Sequence, residues 1–299
     1  MFAQIAARRF AARSSLLIAI LLSSFLLATC DSSTPNGTTA SCGPDSTSYH
    51  LVTAGTLTVA TDPSHPPQTF MAPDQPAQYE GSDLDLIREI GKRLCPQTTI
   101  LKVDFDAIIP GLATPSLGSQ HYDLAISAFP ITANLQQQVD MLPYFQAGKS
   151  LLVLASNPQH ITSLASLCGK SVAVQQGTAA FSELSQQDQN TCGSNPIQLL
   201  SFTSEDDAVA QLLNGSVAAT YQDSPLTDYY AFQNQSKLAP GPLIAPALPE
   251  GIVMRKDNPG LEKAVKKALC AMVQDGAYGA ILKKWGQESG ILPQSQFLC

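Results

Sequence analysis

Apolar residues along this chain recur with two different periods. "GTLTVATD" (residues 55–62) sets Leu57 and Val59 two apart and then stops at "PSHPP", which predicts a strand running into a proline-rich loop. In "GSDLDLIREIGKRL" the apolar positions Leu84, Ile87, Ile90 and Leu94 fall three and four apart, the stripe of an amphipathic helix, with Asp83 placed to cap its start. "TILKVDF" reads as a second strand, "DAIIPGLATPSLG" as a short helix and turn, and "YDLAISAF" as a third strand. The first half therefore runs β-α-β-α-β, the pattern of a parallel sheet with helical crossovers.

The pattern then starts again. "SLASLCGKSVAVQQGTAAFSELS" predicts a helix, a strand over 171–174, a glycine turn and another helix. "DDAVAQLLNGSVAATYQDSPLTDYY" predicts a helix, the strand "VAATY", and a loop leading into a helix. Each half holds a strand that follows a glycine and ends in a loop, "GTLTVATD" and "GKSVAVQQG", an echo consistent with two similar α/β lobes. In the tail, Leu261, Val265, Leu269 and Met272 form one helical stripe and Ile281 and Trp285 another, both read as core packing.

The N-terminus follows neither period. Residues 1–29 carry Arg8, Arg9 and Arg13 and then an apolar run from Leu16 to Leu27, which reads as an export signal and is short for a membrane span. The run ends in "LATC", which resembles the lipobox of bacterial lipoproteins and implies a diacylglyceryl group on Cys30; the alternative is an ordinary signal peptide with a chance cysteine, Thr29 being an unusual neighbour. Residues 30–49 are polar, contain Pro and Gly and have no apolar period, as expected of a flexible tether. Without residues 1–29, 14 basic side chains face 24 acidic ones, a net charge of −10. No basic patch exists to neutralise phosphates, so nucleic acid is not an expected partner. Seven cysteines occur; with Cys30 set aside for lipid, six remain in an exported chain and allow fifteen pairings. Cys42–Cys95, Cys168–Cys192 and Cys270–Cys299 are expected, the middle pair because it closes a short polar loop.

Motifs for chemistry are few. "GKS" at Gly169 lacks the upstream glycine of a phosphate loop, Leu164 standing there, and neither HExxH nor GxSxG occurs. The four histidines, His50, His65, His121 and His160, are scattered, and the cysteines have no CxxC or CxxH spacing, so neither a metal site nor a cofactor is expected. What the chain does contain, in order, is "GTLTVATDPSHPPQTF", "GSDLDLIREIGKRL", "YDLAISAFPIT", "GKSVAVQQGTAA", "VAATYQDSP" and "IVMRKDNPGLEKAVKKALCAMVQDGAYGAILKKWG". Together they resemble family 3 of the bacterial extracellular solute-binding proteins, the amino-acid receptors of ABC importers.

The resemblance implies an α/β, two-lobed periplasmic-binding-protein fold. Each lobe is a mostly parallel sheet flanked by helices, and two hinge strands join them. Lobe 1 would be 50–146 plus 241–299 and lobe 2 would be 147–240, with crossings near "FQAGKSLL" and "PLIAPALPEG". It implies a monomeric receptor, not an enzyme, that closes on a ligand, docks on a membrane permease and is held by lipid on the outer face of the cytoplasmic membrane. A fold-related periplasmic dehydratase or a ligand sensor is the alternative; an enzyme would need an acid/base pair, for which only His65 and Asp223 are candidates. Carried over residue by residue, Asp223 holds the ligand ammonium, or else caps the helix after it. Thr178 and Ala179, after Gly177, offer backbone N–H groups to a carboxylate. His65 covers the ligand with Gln68 close by, and Phe105, Ala128 and Phe129 complete the surround.

One segment departs from the family. "ITANLQQQV" has no charged side chain and sits in a stretch without Lys or Arg between Lys102 and Lys149. The family's carboxylate-gripping arginine is Leu135 here, and the hydroxyl residue before "IT" is Pro130. The expectation is therefore an amine-bearing or amide-like ligand that presents no free α-carboxylate to this loop, with Gln68 and Gln136 as neutral partners. No Lys or Arg is expected to pair with Asp223, and Arg255 is the one remote candidate for an anion.

Overall fold

The computed structural model describes residues 50–72, 75–94, 97–113, 122–297 and 299. Cys30, Cys42 and Cys95, and with them the lipidation site and the Cys42–Cys95 pairing, lie outside the described residues.

The alternating segment at the start forms β1 (Thr56–Thr61). The proline-rich stretch after it, expected to be a loop, carries strands of its own: β2 (Ser64–His65), β3 (Thr69–Ala72) and β4 (Gln75–Glu80) make a small antiparallel sheet. Then follow α1 (Ser82–Leu94), β5 (Gln97–Lys102), α2 (Phe105–Ala113) and β6 (Leu124–Ala125). β6 is far shorter than "YDLAISAF" suggests: after Ala125 the Ser127 hydroxyl accepts the Asp62 N–H at 3.1 Å, and Ala128 turns the chain at φ +52°. "ITANLQQQV" contains α3 (Ala133–Gln138), its start capped by Thr132, whose Oγ1 accepts the Leu135 N–H at 3.3 Å.

The second half holds β7 (Asp140–Leu154), β8 (Ser171–Gln175), α4 (Ala179–Thr191), β9 (Gln198–Phe202), α5 (Glu205–Leu213), β10 (Ala219–Asp223), α6 (Ser224–Gln233) and β11 (Leu238–Met254). The helix expected at "SLASLC" is only a four-residue 3₁₀ turn, Leu164–Leu167, and β9 was not legible as a strand. The helical tail breaks at Gly276, φ +83°, into α7 (Pro259–Asp275) and α8 (Ala277–Lys284). A glycine suits that left-handed joint because it has no Cβ to clash.

One eight-stranded sheet runs through the molecule in the order β5-β1-β6-β11-β7-β10-β8-β9. β5, β1 and β6 are parallel, as are β10, β8 and β9; β7 and β11 pair antiparallel along most of their length and belong to both halves. The ladder between them is irregular from Pro240 to Leu248 and again after Glu250. β11 carries Pro240, Pro242, Pro246 and Pro249, which lack the N–H that a ladder requires, so bulges are the available solution. Buried apolar clusters separate at the same place. Those containing Leu57, Ile87, Phe145, Ile252 and Leu269 lie on one side, and those containing Leu151, Leu152, Val172, Tyr221 and Leu238 on the other. The molecule is therefore two-lobed, each lobe with its own parallel strands. The tail stripe of Leu261, Val265, Leu269 and Met272 is buried in the first of these cores.

Disulfides join Cys168 to Cys192 and Cys270 to Cys299. The first ties the approach to β8 to the end of α4; the second ties the C-terminus to α7. No helix among the described residues is long and apolar enough to cross a membrane.

Candidate functional site

Two adjoining cavities, of about 300 and 390 Å³, open where β7 and β11 pass between the halves. His65, Lys149 and Asp223 line both. The first adds Ala128, Pro130, Glu183 and Glu250; the second adds Thr178, Ala179, Glu205 and Asp206.

Asp223 ends β10 at the N-cap position of α6, yet its side chain makes no capping hydrogen bond. Pro225 in the first turn has no N–H to satisfy, which lessens the need for one. The carboxylate turns instead to Lys149, its register partner on β7, whose ammonium donates to Asp223 Oδ1. This corrects the expectation that Asp223 has no cation nearby, and it removes the capping alternative. Lys149 was missed because a strand pairing between residues distant in sequence creates the contact. The available signal was a lone charge at the head of the apolar run "KSLLVL", since a buried Lys normally needs a partner.

Thr178 caps α4, its Oγ1 accepting the Phe181 N–H at 3.3 Å and donating to the Gln175 carbonyl at 2.8 Å. The glycine expected before it, Gly177, supplies the turn at φ +76° and lines neither cavity. The first N–H groups of α4 have no intrahelical carbonyl to bond, and Ala179 and Ala180 line the second cavity. His65 sits at the junction. Burial holds its pKa below the usual histidine value despite the charge of Asp223, so it is neutral at pH 7.

The other expected contacts fall elsewhere. Gln68 is fully buried; its Nε2 donates to Glu250 Oε2 at 2.5 Å, so it supports the wall of the cavity and does not line it. Asp83, expected as a helix cap, is buried too and accepts the Tyr144 hydroxyl at 2.7 Å and the Ala128 N–H at 3.3 Å. Phe129 is buried, its carbonyl accepting the Gly251 N–H at 2.9 Å, and Phe105 stacks on it at 4.7 Å between centroids. Leu135 packs half-buried against the core cluster of Phe129 and Val139, and Gln136 points to solvent on α3; neither lines a cavity. Pro130 does line one, because its segment is clipped to β11 by the Ile131 N–H on the Pro249 carbonyl at 2.8 Å. Arg255 pairs with Asp257 at 3.2 Å and lines neither cavity.

Carboxyl groups dominate the remaining walls. Burial pushes Glu250 up to about 8, with the charge of Asp83 adding to it, and pushes Glu205 up to about 8, with Asp223 and Asp206 adding. Among the described residues lining the two cavities, Lys149 is the only Lys or Arg. Sequence reasoning missed Glu250 and Glu205, which lie in segments with no motif of their own.

Residues 57–288 match the model of the bacterial extracellular solute-binding proteins, family 3, and the chain belongs to that family. It is 29% identical over 248 residues to the histidine-binding periplasmic protein of Salmonella typhimurium, covering 77% of this chain and 86% of that one. The structure of an ancestral cationic amino acid solute-binding protein superposes with a TM-score of 0.65 at 30% identity, over 77% of this chain and 95% of that one. A substrate-binding protein of an amino acid ABC transporter from Streptococcus pneumoniae, bound to L-arginine, gives 0.56 at 27% identity, over 80% and 96%.

Proposed function

We propose that this protein captures a small amine-bearing, amino-acid-like solute outside the cytoplasmic membrane and delivers it to the permease of an ABC importer. The observation that carries the reading is Asp223, a carboxylate uncommitted to its helix and placed where two cavities meet. Relatives named for histidine and arginine point the same way. In this reading 50–146 plus 241–299 form one lobe and 147–240 the other, and the ligand is enclosed as they close about β7 and β11. His65, neutral, packs over the ligand, and the start of α4 receives its electronegative end. Cys30 carries the lipid that keeps the receptor at the membrane, and the receptor works as a monomer. In this reading the protein binds and releases its ligand without chemistry.

Calorimetry tests this. Losing one member of a buried charge pair typically costs ~2–5 kcal/mol, so Asp223→Ala should weaken ligand binding by about 30-fold or more. The folded state should survive, since no helix cap is lost. Unchanged affinity would remove Asp223 from the site, and conversion of the bound molecule on incubation would make the protein an enzyme.

A further inference from the structure

We infer that helix α6 and the C-terminal segment 285–290 form a seam between the lobes that opposes closure, so that contacts outside the cavities set part of the ligand affinity. The inference rests on the receptor reading above and adds what holds the lobes apart before a ligand draws them together.

α6 belongs to the second lobe: it follows β10 directly, and Thr227 and Ser150 of β7 share a hydrogen bond at 2.8 Å. Segment 285–290 belongs to the first. Trp285 Nε1 donates to Asp85 Oδ2 at 2.9 Å, and Gly290 lies so close to Phe145 that a Cβ there would stand 1.9 Å from the ring. Yet the two elements meet. The Ser289 hydroxyl donates to Oδ2 of Asp228, a buried carboxyl group. Phe232 covers Gly286 so closely that a Cβ on the glycine would stand 2.4 Å from the Phe232 Cβ. Tyr229 lies 6.2 Å from Phe70, which meets Trp285 edge-on at 5.8 Å. None of these seam residues lines either cavity, and among the described residues no side-chain hydrogen bond or ion pair spans the cavities from one lobe to the other.

Turning the second lobe about β7 and β11 carries α6 but not 285–290, so closure has to slide or lift one from the other. The fit of Phe232 on Gly286 leaves no slack for sliding. Contacts made while the cavities are unbridged, and broken on closure, favour the unbridged arrangement. Gln287 works against them. It lies between Gly286 and Ser289, both of which touch α6, and its side chain is fully buried with neither amide atom hydrogen-bonded to a described residue. An amide buried without partners is unfavourable, and native structures keep few of them. Lifting α6 away admits water to it. The seam thus combines several favourable contacts with one unfavourable burial, which leaves the two arrangements close in free energy and open to a modest bias from either side.

The test begins with a thermal-shift screen of the proteinogenic amino acids and their decarboxylated amines, and the tightest binder is the probe. Amide hydrogen exchange of the wild type, with and without the probe, then reads peptides over 228–233 and 285–290. Both should exchange about threefold or more faster with the probe bound, while the start of α4 slows. In calorimetry Ser289→Ala and Phe232→Ala should bind the probe about threefold to tenfold tighter, and Gln287→Met weaker by a similar factor, each change being worth roughly one hydrogen bond or contact. A substitution that merely loosened the fold would not tighten binding. Seam peptides that slow or do not change in the wild type overturn the inference, whether or not the variants fold, and leave the receptor reading standing. Folded variants that stay within about twofold of the wild type, or that all shift in one direction, do the same. A protein that binds nothing in either series ends the receptor reading and the inference together.

Discussion

Leu135 lies in the six-residue helix α3, and whether a leucine there faces ligand or core depends on the roll of that helix. It packs with Phe129 and Val139. Leu135→Ala should therefore cost about 1–3 kcal/mol of stability, from lost burial and imperfect refilling, and leave ligand affinity within about twofold. Denaturant melts beside calorimetry would show it, and a large affinity loss at unchanged stability would return Leu135 to the binding site. Glu250 gives a second prediction at this scale. With Asp83, held at about 7, and Glu250, at about 8, burial makes the folded state bind protons more tightly than the unfolded chain does. Their contribution is thus fully present below about pH 4 and is lost as pH rises toward 7–8, with a slope of about 1.4 kcal/mol per pH unit for each proton. Glu250→Gln keeps a polar group beside Gln68 and removes one of these protons. Its melting temperature should fall less than that of the wild type between pH 5 and pH 9; parallel declines would show that Glu250 does not titrate in this range.

At the scale of elements, the sheet half of the candidate site depends on strand pairing and the helix half on a turn. α4 needs only local chemistry, with Gly177 for the turn and Thr178 for the cap, and both are readable in "QQGTAA". The Lys149–Asp223 pair needs β7 and β10 side by side in one register, and a slip of one strand by one residue would put the two side chains on opposite faces. The Cys168–Cys192 bridge secures α4 from its far end. It joins residues 24 apart, and a loop of that size constrains the unfolded chain by about 3 kcal/mol. The double variant Cys168→Ala/Cys192→Ala should lose roughly that much stability in a denaturant melt. Below its transition it should still bind ligand, because the cap and the first turn of α4 are intact. Loss of binding in the folded variant would mean that the bridge also positions the helix start.

At the scale of the molecule, the proposed receptor would be tethered by lipid, and its two lobes would close on the ligand before it meets a permease. Anchoring is tested by Cys30→Ser, which should leave the chain unprocessed or released, since stable attachment needs the two acyl chains of a diacylglyceryl group. A fully processed Ser variant that still fractionates with membranes would refute it. The sequence alone was enough for the alternation of strands and helices, the tail stripe, the helix start after Gly177 and the place of Asp223 at a strand end. Each of these is decided by residues within a turn or two of one another, where period and capping act. The second small sheet, the two-residue β6, the roll of α3 and the ion pair were not legible. Short strands carry too little period to detect, and a side chain's neighbour across a sheet is named by register, not by spacing. Only the tertiary structure decided that Lys149 meets Asp223, that Gln68 holds Glu250 from behind and that Leu135 turns inward. These are contacts between residues far apart in the chain, fixed when β7 and β11 thread both lobes, and no local pattern in the sequence carries them.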